Sequence, residues 1–597
     1  MAPPHAIGAM ALTALMFYGF ITARLSVEII SLLTISVIAF GLYLFPLPGQ
    51  GPTDGLALAF GGFGHYALIT ICALMIMGRG LVTTGALEPA ARVLTRLWRF
   101  NHQIGLLVTL VMAMMLSMIV NDTPVLVLML PILVAMASRG GMPASRTLIP
   151  VNSAILIGGM ATTIGTSTNL LVVSIADDLG MAPMTVFHFT PIVMTAALIA
   201  IPFIWLVMPR LLPDNSPQTG HEPRRFHALL RRSATAVGRD HPIGELRELL
   251  PGEVEFRAAE DERLAAGNRV EVFATHEALE EAMRETGATC APAWLMERLK
   301  AGYSKSGEDL VVTEMAISPD SGLIGRTITT SGVAERYNVA VLGIHLARTP
   351  LGLRGPRPQS SAAELREGDI LLVTGTESNL AAMAQTENLL VLEGAKEVPR
   401  TAKAPLALAI MAAAILPAST GLVPIAISAL GGAILMFVTG CVKFDRVGRA
   451  LSAQVIVLIA ASIAIGRIVL ESGAAAWLGQ LLAIGLQLLP PAAVLAAIML
   501  FVTALTNFAS NATAAAVGTP IAFSLATQLG IPAEPMVLAV LFGCNLCYAT
   551  PVAYQTNMLI LSAGDYKFGD YTRTGVPLVA LMIVTLSTLL VFRYGLA

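Results

Sequence analysis

Charge is what this chain has little of. Only 13% of its 597 residues are Asp, Glu, Lys or Arg, against 55% apolar, and mean hydropathy is +0.73. That balance excludes an ordinary soluble enzyme and describes a polytopic membrane protein. A formal charge of −2 leaves no basic surface for nucleic acid, so no nucleic-acid partner is expected. Five cysteines give no disulfide framework. Cys544 and Cys547 form a CxxC within an apolar helix, with no companion pair or nearby histidine, and read as small packing residues. The nine histidines do not fall at ligand spacing, and no nucleophile, base and metal assemble. No catalytic residue is therefore expected, and the chain reads as a non-enzyme. The opening Met-Ala-Pro-Pro-His lacks the basic start of a secretory signal, so the first apolar segment is expected to remain as a helix.

The few charges are unevenly placed: roughly two-thirds lie between Arg210 and Lys403. That stretch has Pro/Gly punctuation and no spanning-length apolar run, and is expected to be a soluble insertion, cytoplasmic by its position between basic-flanked helices. Residues 1–210 and 401–597 then form two membrane parts. In the first, the run His102 to Ala137 is about 35 residues long, too long for one straight span of about 20. It is interrupted at its centre by Asn121-Asp122-Thr123-Pro124 and flanked by Arg92, Arg96 and Arg99 on one side and Arg139 and Arg146 on the other. Basic flanks mark the cytoplasmic face, so the run is expected to enter from the cytoplasm, turn and return. Bare polar groups are costly in hydrocarbon, so the tip makes a candidate binding site.

The remaining spans follow by length. Ala6 to Thr22, Ser26 to Phe45 and Gly64 to Leu87 precede the hairpin, with Pro46 to Asp54 an external loop. Leu148 to about Leu179 is a helix broken at Gly165-Thr166-Ser167-Thr168-Asn169, and Thr190 to Met208 closes the first part. After the insertion come Ala404 to Pro417, Val423 to Gly440, Val455 to Leu470 and a Gly-containing segment, Ala474 to Leu489. A second long run, Pro491 to Leu529, is broken at Thr506-Asn507 and Ser510-Asn511-Ala512-Thr513. Pro535 to Ser562 is broken across Ala549 to Asn557, and Pro577 to Val591 exits. Asn121-Asp122-Thr123 with Pro131-Ile132 aligns without a gap on Ser510-Asn511-Ala512 with Pro520-Ile521, and Thr168-Asn169 aligns on Thr556-Asn557 after a one-residue adjustment. Two re-entrant hairpins (102–137 and 491–529) and two broken helices (148–179 and 535–562), related by inversion, are the pattern of an inverted-repeat secondary transporter.

A half-helix that starts inside the membrane offers free N–H groups and the positive end of its dipole to an anion. Unwound carbonyls with Asn, Ser and Thr oxygens suit a small hard cation such as Na⁺. No Lys or Arg is dedicated to an anion; Arg79 and Arg467 are expected at helix ends or in scaffold contacts. Asp122 reads either as a helix cap satisfied by nearby N–H groups or as a cation or proton ligand, and the two roles can coexist.

These residues resemble the divalent anion:Na⁺ symporter family, the solute carrier family 13-like permeases. They are most similar to the sulfate-transporter-like branch that carries TrkA-C domains between its halves. The resemblance rests on Asn121-Asp122-Thr123-Pro124 with Leu130-Pro131-Ile132, on Gly158 to Asn169, on Thr550 to Asn557, and on Gly564-Asp565-Tyr566-Lys567-Phe568. It implies a homodimer in the plasma (inner) membrane, with a transport domain moving by an elevator motion against a scaffold. It further implies one Na⁺ site at Ser117, Asn121, Asp122 and Gly165 and a second at Thr506, Ala509, Asn511 and Ala553. The anion would lie between Asn121, Asp122, Thr123, Thr166, Ser510, Asn511, Ala512 and Gln555. The chain departs from the family where Asp122 replaces an asparagine, Ala512 a threonine, and Ser167-Thr168 and Gln555-Thr556 the paired prolines of dicarboxylate carriers. Those departures favour an inorganic oxyanion such as sulfate over a C4-dicarboxylate, and an extra carboxylate beside an anion needs Na⁺ or H⁺ to offset it.

In the insertion, 301–400 resembles a TrkA-C (RCK C-terminal) domain on Glu314-Met315-Ala316-Ile317, Ser321 to Thr327, Tyr337 to Ile344 and Leu365 to Val373. Residues 211–300 resemble a degenerate second copy, on Ile243-Gly244-Glu245-Leu246 and Ala266 to Phe273. Alternating apolar strands with Gly-Asp turns support a small α+β fold. Such domains imply a nucleotide or ion ligand that regulates transport, or a dimerising role. The function implied is Na⁺-coupled import of sulfate or a related oxyanion. Alternatives are a di- or tricarboxylate symporter or anion exchanger on the same scaffold, and, from another class, an ion channel or sensor gated by the TrkA-C domains. Paired hairpins without a repeated selectivity-filter loop argue against the channel.

Overall fold

Backbone polar groups have no water to bond in hydrocarbon, so apolar runs of spanning length close their hydrogen bonds within themselves and become helices. In the computed structural model the chain is predominantly helical, with one α+β stretch between two helical parts. The structure describes residues 3–22, 25–86, 89, 94, 98, 101–138, 142–215, 224–232, 241–250, 254–257, 262–265, 268–292, 294–299, 310–318, 321–346, 362–392, 403–444, 451, 453–508 and 510–596. Among them, six helical stretches have the length and composition to cross a membrane: Pro4–Thr22, Val27–Leu44, Pro52–Thr83, Thr190–Leu211, Ala453–Glu471 and Phe568–Tyr594. Most of the Arg92–Arg99 cluster, with Arg139, lies outside the described residues.

The first helical part comprises α1 (Pro4–Thr22), α2 (Val27–Leu44), α3 (Pro52–Phe60), α4 (Tyr66–Thr83), α5 (His102–Ser117), α6 (Asp122–Ser138), α7 (Ala144–Met160), α8 (Ser167–Asp178) and α9 (Thr190–Pro202). The expected loop Pro46–Asp54 ends early. Pro52 takes the first turn of α3, where a missing N–H costs nothing, and Asp54 accepts from the Gly51 N–H at 2.7 Å. A tight turn, Gly61–Gly64, follows. Gly62 presses on the backbone of Ala460, where a Cβ would sit 2.3 Å from the carbonyl oxygen.

Between the helical parts, β1 (Arg225–Arg231), β2 (Val254–Phe256), β3 (Arg269–Thr275), β4 (Leu310–Ile317), β5 (Ala340–His345), β6 (Ile370–Thr376) and β7 (Leu389–Val391) form one sheet in the order β2-β3-β1-β5-β6-β4-β7. β1 pairs antiparallel with β3 as β4 does with β6, each over seven residues. β2 joins β3 as β5 joins β6. Helices α10 (His276–Thr286) and α11 (Glu377–Glu387) follow β3 and β6. Residues 211–300 and 301–400 therefore carry the same strand order, and the two sets meet at His227 and Ile344. Val270, Val272 and Ala274 alternate inward on β3, whereas β6 is buried on both faces.

The second helical part holds α12 (Ala404–Ser419), α13 (Ile425–Val438), α14 (Ala453–Glu471), α15 (Ala474–Leu486), α16 (Pro491–Phe508), α17 (Asn511–Leu529), α18 (Ala533–Asn545), α19 (Gln555–Ala563) and α20 (Phe568–Tyr594). α20 is longer than expected. Asp570 accepts from the Lys567 N–H at 2.8 Å, which starts the helix before Pro577.

The parts interleave. α5 packs on α7 and α16 on α18, while α6 packs on α19 and α17 on α8. Each turn-joined helix pair thus touches the split helices of both parts. α1–α4 pack with α12–α15, and α14 and α15 also pack closely on α17. The inserted sheet reaches helices on either side of it. Arg79, at the end of α4, donates to Asn388 Oδ1 at 2.6 Å. Arg224 pairs with Glu314 on β4 and lies 3.4 and 3.5 Å from the carbonyls of Ser562 and Ala563, at the end of α19. Arg467 pairs with Glu471 within α14 at 3.6 Å.

Candidate functional site

The two long apolar runs break where Asn, Ser, Thr and Pro interrupt them, and the breaks are built alike. Between α5 and α6, Ser117 Oγ donates to Asp122 Oδ1 at 2.5 Å. Between α16 and α17, Thr506 Oγ1 donates to Asn511 Oδ1 across the same five-residue step. The split helices repeat a second device. Asn169 Nδ2 donates to Gly159 O (2.9 Å) and Thr162 O (2.6 Å); Asn557 Nδ2 donates to Cys547 O and Thr550 O, both at 2.8 Å. In each case the acceptors lie ten and seven residues earlier. A third device ties split helix to turn: Thr162 Oγ1 donates to Met118 O at 2.6 Å, and Thr550 Oγ1 to Asn507 O at 2.9 Å. Buried backbone carbonyls left by the interruptions are thereby satisfied from side chains.

The helices restart slightly earlier than the sequence suggests. The gaps are residues 161–166 and 546–554, rather than 165–169 and 549–557. Thr166 is the N-cap of α8, its Oγ1 accepting from Asn169 N at 3.3 Å, so Ser167, Thr168 and Asn169 are already helical. Tyr554 is extended (φ −151°, ψ 150°) and precedes α19, which puts Gln555, Thr556 and Asn557 in its first turn.

Asp122 is fully buried. It opens α6, and the local cap is Asn121, whose Oδ1 accepts from Thr123 N at 3.4 Å. Asp122 Oδ2 lacks a partner of good hydrogen-bond geometry, although the Tyr554 hydroxyl approaches the carboxyl group from the opposite break. Cys547 and Tyr548 lie within electrostatic range of the same carboxyl, and Asn511 reaches Cys547. No Lys, Arg or His among the described residues pairs with Asp122. The glycines are steric. A Cβ on Gly159 would lie 2.1 Å from Asp122 Oδ1, and one on Gly165 2.4 Å from Gly159 O. The end of α7 thus lies against the carboxylate, and the 161–166 gap folds onto the end of α7.

Of the residues expected to hold a cation, Ser117 and Asp122 are in direct contact and Gly165 reaches Asp122 through Gly159. Thr506 and Asn511 are in direct contact, Ala553 is buried beside Tyr554, and Ala509 lies outside the described residues. Of those expected to face an anion, Asn121 and Thr166 share a cleft of about 410 Å³, its open mouth included, walled otherwise by Ser167, by Ile119, Val120 and Ile164 of the breaks, and by apolar residues of α4, α8 and α12. Thr123, Ser510 and Gln555 are half-buried and Asn511 and Ala512 buried; none of these five lines that cleft. A hydroxyl, a carboxylate oxygen with an open lone pair and unwound carbonyls are a donor set that suits a small hard cation. The N-termini of α6 and α8, which meet at this cleft, suit an anion.

Gly159 and Tyr554 lie in the motifs Gly158 to Asn169 and Thr550 to Asn557 without an expected site role, and Asn152 and Asn545 lie outside the motifs. The Thr162–Asn169 and Thr550–Asn557 tethers were within reach, because both pairs are spaced by seven residues. Tyr554, reaching Asp122 from more than four hundred residues away, left no local signal.

A family model described as CitMHS, citrate transporter, matches residues 17–543 and, in a second overlapping match, 495–596. The chain belongs to the CitMHS citrate transporter family. Among relatives of this CitMHS member, an uncharacterised transporter of Synechocystis is 28% identical over 568 residues, covering 91% of each chain. Sodium/sulfate cotransporter 1 of Chlamydomonas reinhardtii is 34% identical over 181 residues, 29% of this chain and 20% of that protein. Solute carrier family 13 member 2 of the mouse is 28% identical over 136 residues, 22% of this chain and 23% of that protein. Family and apolar helices together make the protein a multi-pass membrane anion transporter.

Proposed function

We propose that this CitMHS member is a secondary active symporter that imports sulfate or a related inorganic oxyanion with Na⁺. The observation that carries this is the duplicated break, Ser117–Asp122 matched by Thr506–Asn511, with no cationic side chain among the described residues paired to Asp122. Helix N-termini and bound cations, rather than Lys or Arg, would then hold the anion. One Na⁺ would use Ser117, Asn121, Asp122 and Gly165 and the other Thr506, Ala509, Asn511 and Ala553. The anion would lie among Asn121, Asp122, Thr123, Thr166, Ser510, Asn511, Ala512 and Gln555. The two helical parts would be inverted repeats whose turn-joined pairs are re-entrant hairpins. Hairpins and split helices would travel as one body against α1–α4 and α12–α15, within a homodimer in the inner membrane. The insertion would lie in the cytoplasm as two TrkA-C-like copies, a reading its repeated strand order supports; a nucleotide or ion bound there would regulate transport.

The relatives named as sodium/sulfate cotransporters favour the inorganic anion. The family's own description favours a second reading, a tricarboxylate such as citrate, and H⁺ is the alternative coupling ion. Labelled sulfate uptake into proteoliposomes under an imposed Na⁺ gradient tests both. Uptake that collapses with the gradient and resists excess citrate is expected. Uptake indifferent to Na⁺, or abolished by citrate, refutes the sulfate symporter.

A further inference from the structure

We infer that Asn152 and Asn545 are positioning residues that lock the two chain breaks to each other, so that closing one closes the other. Asn169 and Asn557 spend their amide N–H groups on the carbonyls of their own gaps, leaving each Oδ1 as an acceptor. Each Oδ1 is then filled from the other half of the chain: Asn545 Nδ2 donates to Asn169 Oδ1 at 2.7 Å, and Asn152 Nδ2 to Asn557 Oδ1 at 2.6 Å. All four side chains are at most 3% exposed. An amide buried in a helical core needs every partner it can reach, so such links hold one geometry rather than a spread of them.

The exchange is reciprocal, yet its donors are not equivalent positions. Asn152 lies within α7, eight residues before its end, whereas Asn545 is the last residue of α18. A duplicated sequence would not by itself produce the pairing. Asn545 also places its Oδ1 3.4 Å from Thr166 Oγ1, the hydroxyl that caps α8, so the lock reaches a residue expected at the anion. Asn152 Oδ1 has no partner among the described residues, which leaves its N–H as the group that matters. Resting on the transport reading above, the lock predicts that Na⁺ held at one break and an anion held between both bind cooperatively. Coupling between sites of this kind is typically about 5- to 150-fold in affinity.

The test is Asn152→Leu in the full-length protein, with Asn152→Asp as the near-isosteric alternative that removes the donor should leucine prevent folding. Hydrogen exchange is followed at both gaps without ligand. Among the described residues the Asn152 side chain bonds Asn557 alone, which closes the 546–554 gap, so the lock predicts faster exchange at the 161–166 gap as well. A rise confined to residues 546–557 overturns the proposal. In parallel, thermal stabilisation by Na⁺ is titrated with and without sulfate. Wild type should show sulfate lowering the Na⁺ midpoint at least about fivefold, and the variant less than about twofold. An unchanged midpoint shift in the variant overturns the lock. A wild type stabilised by neither ion overturns the transport reading instead, and the exchange result then decides the lock alone.

Discussion

Replacing Asp122 with asparagine removes one charge and little else. The amide oxygen can still accept from Ser117 Oγ, and the fold already accommodates this exchange, since Asn511 accepts from Thr506 at the matching place. The new amide N–H faces the side where Oδ2 has no partner and where the Tyr554 hydroxyl stands. Folding should therefore be nearly untouched. The electrostatic change is large. A Na⁺ about 4 Å from a unit negative charge gains about 1 kcal/mol in water and about 4 kcal/mol at an effective dielectric near 20. Asp122 is fully buried, which puts it toward the upper figure. At 1.4 kcal/mol per decade, the half-saturating Na⁺ concentration should rise by at least about fivefold and at most about a thousandfold. The apparent KM for sulfate at saturating Na⁺ should hold or fall, because a like charge beside the anion has gone. Proteoliposome uptake, titrated in Na⁺ at fixed sulfate and in sulfate at fixed Na⁺, separates the two. A Na⁺ half-saturation within about twofold of wild type, in protein of unchanged Tm, would show that the carboxylate holds no coupling ion.

Gly159→Ala places a methyl group 2.1 Å from Asp122 Oδ1, and such overpacking costs about 1–3 kcal/mol; uptake should be lost and Tm should fall, and adding Asp122→Ala should recover Tm but not uptake. Arg224→Ala leaves Glu314, 8% exposed, without its partner, so thermal unfolding should come earlier for Arg224→Ala than for the double variant with Glu314→Gln; equal Tm values would mean that the pair is solvent-screened. In the inserted sheet, burial pushes the Cys290 thiol up to about 12, against the opposing pull of the Arg231 guanidinium. The thiol stays protonated from pH 7 to 9, where an ordinary cysteine gains thiolate. Labelling of Cys290 by a water-soluble maleimide should therefore stay flat across that window and rise only on denaturation, and a rate climbing with pH in the native protein would refute its burial.

Legibility varied with range. Helices of spanning length and the interruptions at Asn121-Asp122 and Ser510-Asn511 could be read directly, because hydropathy and polar residues report locally on bilayer depth. The gap-free match of those two motifs even implied that Ser117 relates to Asp122 as Thr506 does to Asn511. Helix starts were displaced by a few residues, since a cap such as Thr166 acts through geometry that composition does not encode. The short helix at Pro52–Phe60 starts inside the stretch expected as a loop, Pro46 to Asp54, and packs against α2 and α14. The union of both strand sets in a single sheet depends on His227 meeting Ile344, a contact across more than a hundred residues. Tyr554 beside Asp122 and the asparagine exchange were beyond reach for the same reason.

The crossing of α6 onto α19 and of α17 onto α8 bears on how the protein is made. When the first helical part leaves the ribosome, Asn169 lacks the donor supplied by Asn545, and Asn152 lacks Asn557 as its acceptor, because these partners are 376 and 405 residues further along the chain. Until the sheet and the second part have been synthesised and inserted, the early segments wait in the bilayer with buried polar groups unmatched. Assembly of the core is thus a late, post-translational event. The two parts, expressed as separate chains, should each be short-lived alone and stabilise one another when made together.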